Sequence, residues 1–242
     1  VLLRADSRAR REQNLDDRVE VVYGEVPEVV ALEENGVRFE APVHGGQKTG
    51  WFYDHRLSRA RLQQLVDGRD VLDVYSYIGG WGVQAAVAGA SSVCCIDSSE
   101  AALEGALRNA AINGVDASVR VAPGRADAVM QALAGEGERF DVVVLDPPAF
   151  IQRRRDLKKG IAAYRRINEL GLRLLKPGGL LVAGSCSMHL PRADLVSALQ
   201  GAARRADCEL RVVEQGGQGP DHPVHPAIPE TDYLKAVFAR RL

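Results

Sequence analysis

From Arg69 to Ala239 the chain alternates short β-branched runs with helical stretches, and that alternation leaves few folds open. Val71–Tyr75, Ser92–Asp97, Ser118–Val121, Phe140–Leu145 and Leu180–Gly184 read as strands. Val83–Ala88, Glu100–Asn113, Ala126–Leu133, Gly160–Leu175 and Leu190–Arg205 read as the intervening helices. Such a pattern defines an α/β fold with a doubly wound sheet, in which ligands bind at the carboxyl ends of the strands. Leu210–Glu214 and Tyr233–Ala239 have no helix between them and are expected to close the sheet as an antiparallel pair.

The stretch before Arg69 is of another kind. Residues 1 to 18 are Arg-rich and lack a period, so they read as an irregular start. Val19–Tyr23, Val29–Glu33 and Val37–Ala41 are short β runs, the last two joined by Glu34-Asn35-Gly36, in which Asn and Gly both tolerate positive φ. This divides the chain into a small β-rich appendage over 1–48 and an α/β domain over 49–242. Gly45–Gly50 lacks the spacing of a phosphate loop and reads as a linker, with Trp51, Phe52 and Tyr53 packing onto the domain and a helix following over Leu57–Val66.

Composition sets limits on partners. With 31 basic against 32 acidic residues, attraction to nucleic acid has to be local. Arg153-Arg154-Arg155, Lys158-Lys159 and Arg165-Arg166 supply such a local patch, directly after Phe150. Cys94, Cys95, Cys186 and Cys208 show no CxxC spacing, so neither a disulfide framework nor a metal site is expected. There is no apolar run of membrane-spanning length, and a reducing cytoplasm is the expected compartment. The chain starts at Val1 without a methionine and reads as part of a longer protein.

Chemistry gathers at the strand ends. Asp73 and Asp97 close consecutive strands around the Gly79-Gly80 turn, a placement suited to the ribose of a nucleoside cofactor, either a dinucleotide or S-adenosylmethionine. The fourth strand ends in Asp146-Pro147-Pro148-Ala149-Phe150: a carboxylate able to read a base edge, a rigid turn with few spare donors, and an aromatic for stacking. The stretch resembles, with one residue inserted before the aromatic, the [D/N/S]PP[Y/F] signature of S-adenosylmethionine-dependent methyltransferases acting on nitrogen or carbon of planar bases, which favours S-adenosylmethionine over a dinucleotide. Cys186, in Ser185-Cys186-Ser187 at the end of the next strand, falls beside Asp146 if the two strands are neighbours. A thiolate added to C6 of cytosine makes C5 enamine-like, and Asp146 at the N3 and amino edge would stabilise the adduct.

Gly46-Gln47-Lys48-Thr49-Gly50 with Asp54-x-Arg56, Tyr75-Ser76-Tyr77-Ile78-Gly79-Gly80, Asp146-Pro147-Pro148-x-Phe150, Ser185-Cys186-Ser187, Asp221-His222-Pro223 and Pro229-Glu230-x-x-Tyr233-Leu234-Lys235 occur in this order. Together they resemble the bacterial large-subunit ribosomal RNA cytosine-C5 methyltransferase family, from about Val19 to the end. The resemblance implies a Rossmann-like domain, S-adenosylmethionine as donor, ribosomal RNA as partner and Cys186 as nucleophile. It also implies that an RNA-binding PUA domain precedes the β appendage. Cofactor contacts are expected from Asp73, Tyr75, Gly79 and Gly80, from Asp97 at the ribose and Asp127 near the adenine amino group, with Gln47 and Arg56 lining the pocket. Pro147, Phe150, Arg153, Arg154 and Lys158 are expected on the RNA side. Ala149 departs from the lysine usual in the family. Two alternatives stand beside this reading: a base-nitrogen methyltransferase in which Cys186 is incidental, and a catalytically idle RNA-binding module. Oligomeric state is not legible.

Overall fold

A computed structural model describes residues 1–6, 10, 13–44 and 50–242. The chain opens with β1 (Leu2–Ala5) and β2 (Arg18–Val21), an antiparallel pair, followed by the hairpin β3 (Val29–Glu34) and β4 (Val37–Pro42). Asn35 turns that hairpin at φ 54°, as the Asn-Gly signal predicts. Next come α1 (Arg56–Gln63), β5 (Asp70–Val74), α2 (Gly82–Val87), β6 (Ser92–Asp97), α3 (Glu100–Ile112), β7 (Val119–Pro123), α4 (Ala126–Gly135) and β8 (Phe140–Leu145). The chain finishes with α5 (Leu157–Leu174), β9 (Leu175–Ser185), α6 (Arg192–Arg205), β10 (Leu210–Gly216) and β11 (Lys235–Arg241).

One seven-stranded sheet, in the order β10-β11-β9-β8-β5-β6-β7, holds the domain together. Its five central and distal strands are parallel, while β11 pairs antiparallel with β9 and β10 antiparallel with β11. The expected terminal antiparallel pair is therefore present. Parallel strands covered on both faces need continuous apolar runs, and Val142, Val143, Val144 and Leu145 are fully buried.

The strand order reverses between β5 and β8, the switch point at which such sheets bind ligands. Leu145 of β8 pairs with Ala183 of β9, so Asp146 and Cys186 leave the sheet from adjacent strands at the same end. Gly184 lies between them. A Cβ there would stand 2.9 Å from Asp146 Oδ1, so only glycine leaves that carboxylate its place.

The β3–β4 hairpin, which the sequence groups with the appendage, shares a core with the sheet. Val37, Phe39 and Ala41 pack with Trp51, Leu62, Ile78, Trp81 and Val83. A buried polar cluster anchors its tip: Glu34 accepts from Trp51 Nε1 (3.0 Å), Arg59 Nε (2.6 Å), Arg59 Nη2 (3.0 Å) and Gln84 Nε2 (2.9 Å). Among the described residues no helix is long and apolar enough to cross a membrane.

Candidate active site

The turn after β5 carries the first part of the site. Tyr75 and Tyr77 sit at φ 66° and 50°, conformations that side-chain-bearing residues rarely adopt, so this loop is held under strain by its surroundings. Gly79 has φ 83°, and a Cβ on it would come 2.7 Å from Val83 Cγ2, so the turn requires glycine there; Gly80 meets only ordinary contacts.

Asp73 is completely buried beneath the turn. Its Oδ2 accepts from Gly82 N at 2.8 Å, while Oδ1 has no hydrogen-bond partner among the described residues. Burial is the main reason its carboxyl rises to about 7; the Gly82 bond opposes this, and the Asp146 and Asp97 carboxylates add to it. An orphaned acceptor in such a place costs about 1–3 kcal/mol unless a ligand supplies the missing donor.

Asp97 is held from both sides, Oδ2 accepting from Tyr77 N and Oδ1 from Ser99 N, each at 2.9 Å. It lines a cavity of about 340 Å³ together with Tyr75, Gly124, Asp127, Phe150 and Arg166. Asp127 lies across the cavity in a two-point pair with Arg125 at 3.3 Å, and that hydrogen bonding keeps its carboxyl below the ordinary range. Phe150 was expected on the substrate side. Its ring packs between Tyr75 and Tyr164 and walls this same cavity, because β8 ends beside the turn that follows β5.

Arg56 was expected in the cofactor pocket but is not among the residues lining the cavity. Its Nε pairs with Asp221 Oδ2 at 3.1 Å, which ties the start of α1 to the Asp221-His222-Pro223 segment. Gln47, with Gly46, Lys48 and Thr49, lies outside the described residues.

Asp146 is gripped at both oxygens. Trp81 Nε1 donates to Oδ2 at 3.0 Å, and His55 Nε2 lies 3.2 Å from Oδ1, within ion-pair distance. Burial pushes the Asp146 carboxyl up, yet the His55 charge and contact, the Trp81 bond and the Arg59 guanidinium outweigh it. The net shift is downward, which leaves a carboxylate at neutral pH. With 23% of the side chain still exposed, the lone pairs not used by Trp81 and His55 can meet a ligand.

The Ser-Cys-Ser turn is locked from below. Ser185 Oγ donates to Tyr164 Oη (2.8 Å), Tyr164 Oη pairs with Ser187 Oγ (2.9 Å), and Ser187 N donates to Ser185 Oγ (3.2 Å). Ile151 N also donates to Ser187 Oγ at 3.2 Å, so the loop carrying Asp146 and the loop carrying Cys186 are bonded to each other. Lys235 Nζ donates to Ser187 O and Tyr233 O, each at 2.7 Å, and burial brings its ammonium down to about 8. Cys186 itself stays half-exposed, whereas Cys94 and Cys95 are buried, with thiols raised by desolvation. Cys208 is also partly exposed, but it lies between α6 and β10, away from the Ser-Cys-Ser turn.

Pro147 is buried beneath Asp146, whereas Arg153, Arg154 and Lys158 are exposed and lie apart from the 340 Å³ cavity. Arg154 instead borders a second, larger hollow of about 450 Å³ with Met188, His189, Arg192, Glu230 and Lys235, on the side of the Ser-Cys-Ser turn. Among the described residues, no cluster of His, Cys, Asp or Glu could hold a metal ion.

Four contributors escaped the sequence reading: His55, Trp81, Tyr164 and Lys235. Three of them had a usable signal, His55 and Lys235 because they stand within quoted motifs, and Trp81 because an indole donor inside a glycine turn needs an acceptor nearby. Tyr164 had none, since an aromatic at helical spacing is ordinarily core.

A seven-stranded sheet reversing at β5, an orphaned acidic acceptor under a glycine turn and two acidic residues around a nucleoside-sized cavity together define a methyltransferase frame. The chain belongs to the S-adenosylmethionine-dependent methyltransferase family, whose model matches residues 7–240. It is 39% identical over 243 residues to the ribosomal RNA large subunit methyltransferase I of Vibrio cholerae serotype O1, covering 99% of this chain and 61% of the relative. It is 40% identical to the ribosomal RNA large subunit methyltransferase of Deinococcus radiodurans, covering 90% and 54%. The chain thus spans roughly three-fifths of these relatives' length. Among solved structures, a S-adenosylmethionine-dependent methyltransferase from Streptococcus mutans superposes with TM-score 0.81 at 22% identity, over 92% of this chain and 58% of that one. A methyltransferase solved as a complex with SAH gives the same TM-score at 21% identity and the same coverage.

The residues present fit S-adenosylmethionine. Asp73 Oδ1 lacks a donor, which a cofactor ammonium would supply; Asp97 presents spare lone pairs to the cavity; Phe150 and Tyr75 offer aromatic walls.

Proposed function

We propose that this chain methylates C5 of a cytosine in large-subunit ribosomal RNA, with Cys186 as the covalent nucleophile. The observation that carries this reading is the pairing of Asp146 and Cys186 on adjacent strand ends, fixed to one another through the Ile151–Ser187 bond. A nitrogen-directed enzyme needs the carboxylate but not the locked, accessible thiol. The names of the relatives support ribosomal RNA as the substrate class.

In this reading Asp73 holds the cofactor ammonium, Asp97 the ribose hydroxyls and Asp127 the adenine amino group. S-adenosylmethionine supplies an electrophilic methyl group. Cys186 attacks C6 and makes C5 nucleophilic, Asp146 holds the N3 and amino edge, and the Ser185–Tyr164–Ser187 bonds keep the thiol aimed without reorganisation. Arg153, Arg154, Arg155, Lys158 and Lys159 are all exposed around the N-terminus of α5, where the helix dipole disfavours cations. Clustering them against that field suits contact with RNA phosphates, in which bound counterions are released and affinity falls with salt.

Mass spectrometry of nucleosides from ribosomal RNA treated with the chain and S-adenosylmethionine tests the proposal. The expected product is 5-methylcytidine, and a methylated guanosine or adenosine would overturn it. Cofactor binding should also depend on pH. Below about 7 Asp73 carries a proton, which it must release to meet an ammonium. Affinity is therefore expected to rise up to about tenfold per pH unit toward neutrality and to level off above it. Calorimetry between pH 5 and 8 measures this, and Asp73→Asn should flatten the curve. A flat wild-type curve would remove the ammonium from Asp73.

A further inference from the structure

His55 is buried at 3% exposure, its ring 5.2 Å from that of Trp81. Neither ring nitrogen has a hydrogen-bond partner among the described residues, although Nε2 is 3.2 Å from Asp146 Oδ1. Burying an imidazole whose Nδ1 has no partner among the described residues and whose Nε2 meets only the Asp146 contact costs stability, and packing does not call for it: an apolar ring would fill the same space. Asp54 Oδ1 takes the His55 backbone N–H, Arg59 of α1 donates its backbone N–H to His55 O, and Asp146 is influenced in turn by Asp73 and Arg59. The Asp54 carboxylate is occupied by that N–H and, at Oδ2, by Tyr233 Oη. Asp146 is thus the carboxylate that the imidazole itself meets.

We propose that His55 is a positioning residue acting through Asp146, holding the proton that Asp146 passes to N3 of the cytosine as Cys186 adds to C6. The step balances without any added reagent. The Cys186 thiolate forms the S–C6 bond, the C5=C6 electron pair moves to C4=C5, and the C4=N3 pair moves onto N3. N3 takes a proton from Asp146, which takes one from His55 Nε2, so the ring ends neutral and Asp146 unchanged in charge. Trp81 keeps Oδ2 fixed meanwhile, so that transfer runs through Oδ1. This inference rests on the cytosine-C5 reading.

His55→Gln retains a donor of similar reach but carries no exchangeable charge. Its single-turnover rate is expected to fall about a hundredfold, the usual scale of general acid catalysis, with cofactor Kd and thermal midpoint close to wild type. The wild-type rate is expected to decline on the alkaline side as the pair loses its proton, and His55→Gln is expected to lack that decline. In an Asp146→Asn background the histidine change should add nothing, because the two act in series. A wild-type rate that climbs steadily to pH 9 overturns the relay, as does a His55→Gln enzyme of normal rate and profile, or additive losses in the double variant. Those results leave 5-methylcytidine as the product. If wild type yields another methylated base, or if Cys186→Ala stays active, the cytosine-C5 reading fails and the relay falls with it.

Discussion

Cys186→Ala is expected to lower methyl transfer by about a thousandfold or more while leaving S-adenosylmethionine binding unchanged. Cytosine C5 has little nucleophilic character until C6 is saturated, so no neighbouring group can stand in for the sulfur. Substitution at a half-exposed position removes one small side chain and leaves the Ser185–Tyr164–Ser187 bonds and the Lys235 contact in place. The fold should therefore survive, and an activity loss would report on chemistry. RNA carrying 5-fluorocytidine gives the complementary result. With fluorine at C5 there is no proton to remove after methylation, so the wild-type chain should remain joined to the RNA through a bond that resists denaturing electrophoresis. Cys186→Ala should show no such band. An alanine variant retaining more than a tenth of the wild-type rate would exclude covalent catalysis by this residue.

Glu34→Ala is expected to destabilise the chain by about 3–5 kcal/mol, the range for removing one partner of a buried ion pair. Glu34 and Arg59 side chains are only 3% and 5% exposed. Truncation strands the Arg59 guanidinium and leaves Trp51 Nε1 and Gln84 Nε2 without their acceptor. Glu34→Gln keeps the shape and one acceptor and should cost less, about 1–3 kcal/mol. Thermal and urea unfolding of the three proteins checks the order. Arg59 also lies 6.0 Å over the Trp81 ring, and Trp81 holds Asp146, so loosening the hairpin tip should reach the Asp146 carboxylate. Losses under 1 kcal/mol in Glu34→Ala would mean that the hairpin is not anchored through this cluster.

Much of the frame is legible in the sequence. The inner parallel strands β5, β6, β8 and β9 are apolar runs buried on both faces, and the helices between have apolar faces of the right period, so local pattern and global fold agree. Asp73, Asp97, Asp146 and Cys186 could be placed at strand ends because strand ends show in a sequence, and the structure sets Asp146 and Cys186 at one end of adjacent strands. Element ends moved by a few residues: α5 begins at Leu157 instead of Gly160, and β9 runs from Leu175 through the Pro177-Gly178-Gly179 segment that looked like a turn.

What the sequence by itself determined is therefore the alternating α/β order, the hairpin at Asn35-Gly36 and the short set of acidic and sulfur groups at the strand tips. Only the tertiary structure decided how they are used. It made β8 and β9 neighbours, set Phe150 between Tyr75 and Tyr164 on the wall of the Asp97 cavity, and paired Arg56 with Asp221. It also brought His55 and Trp81, 91 and 65 residues before Asp146, onto the two oxygens of one carboxylate. The physical reason is range. Periodicity and turn chemistry act over a few residues and leave a mark in the local sequence, whereas a buried hydrogen bond between distant segments constrains only two atoms, and neither residue type nor spacing records its partner.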